Sequence, residues 1–227
     1  MSAAEKSTWA KLKAIWREPF FGKLNRLGIL YYKFKGVVLY RLFFKRFGAG
    51  SYICKPLYIS NPMFITIGER VSIFGGVRLE VIQDNKKRIP DLSIGDNTNI
   101  EQNVHIVCHN RIRIGDNVSI TGNCAVVDVI HPYADVGNPL KIGARIQDDN
   151  SFVEIGDGTW IGYGSVVLPN VRIGRSVVIG ANSVVVRDIP DYSVVAGSPA
   201  KLIKRFDSIT GAWIKVSPDL IGETDQA

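Results

Sequence analysis

The sequence predicts a parallel β-helix, a triangular solenoid with a helical segment at its N-terminal end and a tail at its C-terminal end. Three observations predict it. In "IGDGTWIGYGSVVLPNVRIGRSVVIGANSVVVRD" (155–188) an aliphatic residue returns at every sixth position: Ile155, Ile161, Val167, Ile173, Ile179 and Val185. Glycine follows several of them, at Gly156, Gly162, Gly174 and Gly180. The same beat runs earlier, at Ile94, Ile100 and Ile106, then after a two-residue slip at Ile114, Ile120 and Val126, with weaker copies at Ile53, Ile59, Ile67, Ile73 and Leu79. Period six fits neither an amphipathic helix nor an alternating strand. It fits a coil with three short sides, each turning one aliphatic inward, that buries its apolar face only by stacking on its neighbours. The glycine after the inward residue is expected to allow a tight corner at positive φ. The general rule for parallel crossovers predicts a right-handed winding.

The elements follow in chain order. Residues 1–50 form a basic, aromatic helical segment in which Leu24, Leu27, Tyr31, Phe34, Val38 and Leu42 keep a three-to-four spacing. Pro19 and Gly22 are expected to separate a short first helix from a longer second one. The apolar stripe has two readings: a cap over the open end of the solenoid, or a basic helix resting on an anionic membrane. Residues 51–206 are the β-helix. The beat fails in "DVIHPYADVGNPLKIGARIQDDNSFV", which makes 128–152 an excursion loop, and long loops on rigid scaffolds carry function. "QDNKKRIPD" (83–91) is a second, shorter loop, and 207–227 is a tail.

Composition narrows the function. The chain has 227 residues, 46% hydrophobic and 22% charged, as a soluble protein with a real core requires. Its formal charge of +7 favours an anionic partner: a nucleic acid, a lipid surface or a phosphate-bearing small molecule. Cys54, Cys108 and Cys124 show no CxxC spacing and leave one thiol over in any pairing, which points to a reducing compartment. No secretory signal and no membrane span is evident, so the expected place is the cytoplasm, with peripheral contact at the inner face of the plasma membrane left open.

The ordered set "IHP" (130–132), "GTWIGYGSVVLPNVRIG" (158–174), "VVIGANSVVVRDIP" (177–190) and "VVAGSPAKLIKRF" (194–206) resembles the hexapeptide-repeat acyltransferases, above all the maltose, galactoside and polysaccharide O-acetyltransferases. The resemblance covers roughly 51–205. It implies a left-handed β-helix, against the general crossover rule, and a homotrimer with active sites between subunits. It also implies acetyl-CoA as donor, a sugar or glycan acceptor and no metal. His131 takes the place of the family's catalytic base. An imidazole titrates near neutrality and can draw the proton from an acceptor hydroxyl as it attacks a thioester, help worth roughly 10²–10⁴-fold. The backbone amide of Tyr163 corresponds to the donor for the tetrahedral oxyanion. Trp160 would line the pantetheine path, Ala181 would let the pantetheine arm lie against the backbone, and Lys201, Lys204 and Arg187 would meet the phosphates of CoA.

One departure concerns the acceptor. Where maltose and galactoside enzymes carry an asparagine, "IGDNTNIEQNVHI" has Glu101, with Asn103 two residues on. Glu101 is expected to orient His131 or to accept a hydrogen bond from the acceptor. Asn103 and Asp128 join it on the acceptor side, and Asp128 and Asp135 are alternative orienters of the imidazole. Two alternatives stand beside O-acetylation: N-acetylation of an amino-sugar nucleotide, and a binding scaffold without chemistry. A zinc hydratase of the same fold would need three histidines, but His105, His109 and His131 do not reproduce its spacing. Net charge alone does not make a nucleic-acid module.

Overall fold

The computed structural model describes residues 19–83, 88–147 and 149–216. The short first helix expected before Pro19 therefore lies outside the described residues, as do the middle of the 83–91 loop and the last part of the tail. Three parallel faces build the body. The first holds Arg46–Phe47, Ile65–Ile67, Asp91–Ile94, Arg111–Ile114, Phe152–Ile155 and Val171–Ile173. The second holds Tyr52–Ile53, Ser72–Ile73, Asn99–Ile100, Ser119–Ile120, Trp160–Ile161, Val178–Ile179 and Ser193–Ala196. The third holds Tyr58–Ser60, Arg78–Val81, His105–Cys108, Ala125–Val127, Val166–Val167 and Val184–Val185. The chain visits the faces in turn, so three successive strands make one coil.

Register puts the six-residue beat into columns. On the second face Ile53, Ile73, Ile100, Ile120, Ile161, Ile179 and Val195 pair one above another. On the third, Ile59, Leu79, Ile106, Val126, Val167 and Val185 do the same. Ile67, Ile94, Ile114, Ile155 and Ile173 form the first column. Nearly all of these side chains are fully buried, which is the stacking that a single coil could not supply.

The repeated glycine has a different cause from the one expected. Positive φ falls two residues further on, at Gly158, Gly164, Ser176 and Asn182, and at Asn97, Asn103, Asn117 and Asn123 in earlier coils. Asparagine suits these corners because its short polar side chain tolerates the left-handed region. The glycine itself is required by the next coil. A Cβ on Gly162 would stand 2.6 Å from Ala181 N and 2.7 Å from Ile179 O. The aspartate that follows such glycines has a matching role: Asp116 accepts from Asp96 N at 2.7 Å, and Asp157 from Asp116 N at 2.8 Å, lacing coil to coil.

Two boundaries move. The first coil begins at Arg46–Phe47, ahead of residue 51. The last parallel strand is Ser193–Ala196, after which Lys201–Asp207 and Ala212–Lys215 run antiparallel, so part of the expected tail is a strand. At the other end, helix α1 (Phe20–Lys35) continues through a wider turn at Gly36–Tyr40 to Arg41–Phe43. The open end of the solenoid is closed by Tyr40, Phe44 and Phe47, whose rings stand 5.3–5.4 Å apart and are only 6–7% exposed. The stripe from Leu24 to Leu42, expected either to cap the solenoid or to meet a membrane, does not take part in this closure and is exposed.

Candidate active site

The excursion leaves the third face after Val127 and returns at Phe152, and a hydrogen bond from Gln147 N to Ile130 O (2.9 Å) ties its base. His131 is exposed just past that exit. Its Nδ1 lies 2.8 Å from the main-chain oxygen of Arg145. A carbonyl can only accept, so Nδ1 carries the proton and Nε2 of the neutral ring presents a lone pair. The ring lines a pocket of about 400 Å³ with Arg78, Glu80, Val107, Val127 and Ile146. Arg78 and Glu80 form an ion pair on its wall.

Arg145 orders this loop. Its guanidinium donates to the carbonyls of Asp135, Asn138 and Leu140, each at 2.8 Å, while its own carbonyl holds His131. The expected orienter of the imidazole is a carboxylate. None of Glu101, Asp128 or Asp135 has that role: a main-chain carbonyl occupies Nδ1, and a carbonyl leaves no signature in residue type.

Asp128 lies still further from its expected role on the acceptor side. It is fully buried, and its oxygens accept from His109 N (2.5 Å), Asn110 N (2.9 Å) and Arg111 N (2.7 Å). The Cys108 thiol also faces it, at 3.8 Å. Burial pushes this carboxyl above its usual range, and the His109, Asn110 and Arg111 amides oppose the rise. With every oxygen facing inward to a donor, Asp128 has no reach to an acceptor sugar. It fixes the corner from which the loop departs.

The corner between the second and third faces carries Glu101 and Asn103 on one coil, Tyr163 two coils further on, and Ala181 on the coil after that. Tyr163 and Ala181 occupy the same place in coils next to each other, linked by Asn182 N to Tyr163 O at 2.8 Å. Neither the Tyr163 nor the Ala181 amide makes a hydrogen bond to another described residue, which leaves both N–H groups as unmet donors. The equivalent amide at Gly122 is taken instead by Glu101, whose carboxylate accepts from it at 3.1 Å. The Tyr163 ring is held by Asn123, whose Nδ2 donates to its hydroxyl, and Trp160 stands exposed on the second face beside the corner. Asn103 is exposed at φ +58°.

The pocket that His131 lines includes none of Glu101, Asn103, Tyr163 or Ala181 from the same chain. The corner at Asn123 precedes the strand Ala125–Val127, and the pocket that His131 lines lies at the far end of that strand. The basic residues are also divided. Along Lys201–Asp207 exposure alternates, so Lys201 and Arg205 are exposed while Lys204 is half-buried. Arg187 is exposed just after the last strand of the third face. Arg145, Arg205 and the Arg78–Glu80 pair were missed from the sequence. For Arg205 the strand's period-two alternation could have served as the signal.

Among the described residues no group of three or more histidine, cysteine, aspartate or glutamate side chains could hold a metal ion. Comparison with known proteins decides the family. Residues 152–187 match the family described as "Bacterial transferase hexapeptide (six repeats)". WbbJ of Escherichia coli (strain K12), named "Putative lipopolysaccharide biosynthesis O-acetyl transferase", is 32% identical over 185 residues, covering 80% of this chain and 90% of its own. The chain belongs to the hexapeptide-repeat transferase family. It is an acetyltransferase of that family. The galactoside O-acetyltransferase of Lactococcus lactis subsp. lactis (strain IL1403) is 38% identical over 103 residues, covering 45% of this chain and 47% of its own. A mutant of AntD, an N-acyltransferase from Bacillus cereus solved with dTDP and coenzyme A, shares the fold of the acetyltransferase at a TM-score of 0.61. It is 22% identical, over 74% of this chain and 87% of that one.

Proposed function

We propose that this acetyltransferase moves an acetyl group from acetyl-CoA to a sugar hydroxyl of a surface glycan or its precursor, with His131 as general base. The observation that carries the reading is the Nδ1 contact to the Arg145 carbonyl, because it leaves Nε2 as a fixed acceptor at an open pocket. The acceptor oxygen attacks the thioester carbonyl as its proton passes to Nε2. The tetrahedral intermediate then expels the CoA thiolate, which takes the proton back from the imidazolium, so the base is restored. The unmet Tyr163 N–H is the donor proposed for the oxyanion, and the Ala181 N–H a contact for the pantetheine arm. Lys201 and Arg205 on the exposed antiparallel strand, and Arg187 after the last strand of the third face, are proposed for the CoA phosphates, and Glu101 and Asn103 for the acceptor side.

Because the His131 pocket does not include the Tyr163 corner of its own chain, the reading joins His131 of one protomer to the corner of the next, in a cytoplasmic homotrimer. WbbJ supports a lipopolysaccharide-type acceptor and oxygen as the attacking atom. The test is to incubate purified protein with acetyl-CoA and candidate glycans or sugar nucleotides, following free thiol and the mass of the acceptor. The expected result is thiol release matched by one added acetyl group on a hydroxyl, with His131→Ala lowering the rate by at least roughly 100-fold while the protein keeps its size and fold. Undiminished turnover in that variant refutes the assignment. Acetyl found on an amine places the chain with the N-acyl branch instead.

A further inference from the structure

Helix α1 meets the solenoid with the side opposite its apolar stripe. Gly22, Ile29 and Gly36, seven residues apart, face the body: the first two are half-buried and Gly36 is buried. A Cβ on Gly36 would stand 2.8 Å from Phe47 Cε1 and 3.1 Å from Ser51 O, so no larger residue fits that contact. Lys33 lies over the Tyr52 ring at 5.8 Å on the same side. Phe20, Leu24, Leu27, Tyr31, Phe34 and Val38, spaced alternately by four and three, point away from the body and are 51–70% exposed. A surface helix ordinarily turns such a stripe toward its own core. A contiguous apolar surface of this kind marks a place of contact.

We propose that this face of the helix lies on an anionic lipid surface. The alternating spacing would also suit a coiled-coil seam with a second copy. Such a seam is flanked by residues of opposite charge, and here the flanks are Phe21, Lys23, Gly28, Leu30, Lys35 and Val37. From Pro19 to Gly68 the sequence contains no aspartate or glutamate. Two of these helices side by side would oppose like charges, whereas phosphate headgroups supply the missing sign. The stripe's phenylalanines and tyrosine suit the boundary between headgroup and acyl chain. No helix among the described residues is long and apolar enough to cross a membrane, so α1 lies in the interface. Contact of α1 with lipid is independent of acetyl transfer at His131.

The test is co-sedimentation of the full chain with vesicles of phosphatidylcholine alone, and of phosphatidylcholine and phosphatidylglycerol in equal parts, at low and raised salt. Binding to the phosphatidylglycerol vesicles that weakens with salt is expected, with little on phosphatidylcholine alone. Leu27→Glu with Phe34→Glu changes only exposed positions and is expected to lower partitioning at least roughly tenfold. Lys23→Gln with Lys35→Gln, the two basic flanks of the stripe, is expected to lower it by up to roughly 30-fold, at about 1 kcal/mol per charge. Circular dichroism and light scattering check that fold and size are kept. The proposal is overturned by absence of binding to anionic vesicles, by equal binding to both vesicle types, or by full binding of the Leu27–Phe34 variant. It is also overturned if that variant changes the size of the assembly while the parent protein ignores lipid, which would make the stripe a contact between copies.

Discussion

Replacing Asp128 with asparagine keeps its shape, removes its charge and strips the corner of one of its two acceptor oxygens. Three N–H groups converge on the carboxylate: His109 on Oδ1, and Asn110 and Arg111 on Oδ2. An amide has one oxygen. Its best placement serves Asn110 and Arg111 and turns the amino group against the His109 N–H. One bond to a charged acceptor is then unmade, about 1.5–3 kcal/mol, and two others fall from charged to neutral, about 1 kcal/mol each. Relief of the desolvation that raises this carboxyl offsets part of the loss. The expected net cost is roughly 2–3 kcal/mol. Asp128→Ala leaves three buried donors without a partner and is expected to cost roughly twice as much. Urea unfolding at one fixed protein concentration reads both, since the apparent stability of an assembly depends on concentration. An asparagine variant as stable as the parent, or an alanine variant no worse than asparagine, would show that this corner does not rest on the carboxylate.

Other perturbations reach the loop, the coils and the thiols. Arg145→Ala loses three hydrogen bonds from a partly exposed guanidinium, at about 1 kcal/mol each, so kcat should fall by up to roughly 100-fold while KM for acetyl-CoA holds within about twofold; an unchanged kcat in steady-state assays counts against its positioning role. Gly162→Ala drives a methyl into the backbone of Ala181 and Ile179 and should cost about 1–3 kcal/mol in a thermal melt and raise KM for acetyl-CoA. Gly28→Ala, which meets nothing within 4 Å, should be neutral or stabilising by up to about 1 kcal/mol. Burial raises the thiols of Cys54, Cys108 and Cys124, strongly so for Cys108. A thiol reagent on the native protein should therefore label only half-buried Cys54, slowly and faster as pH rises, and label all of them after unfolding. Rapid native labelling of Cys108 or Cys124 would contradict the packing.

The sequence by itself determined the columns. Ile100, Ile120 and Ile161 announce their place because burial on a coil with three short sides imposes a period that no other backbone shares, and period survives in a one-dimensional string. It also determined where the solenoid is interrupted, and so that His131 stands at the mouth of a loop. Only the tertiary structure decided what each polar residue does there. The carbonyl that fixes His131 belongs to a residue fourteen positions away and carries no side-chain identity. Asp128 looked available until three amides from the preceding coil were seen around it. Glycine's role changed for the same reason: the constraint at Gly162 comes from Ala181 and Ile179 in the next coil, not from its own φ. The stripe on α1 was legible as a stripe, but which way it faces is set by Gly36 against Phe47, a contact between distant segments that spacing along the chain cannot express.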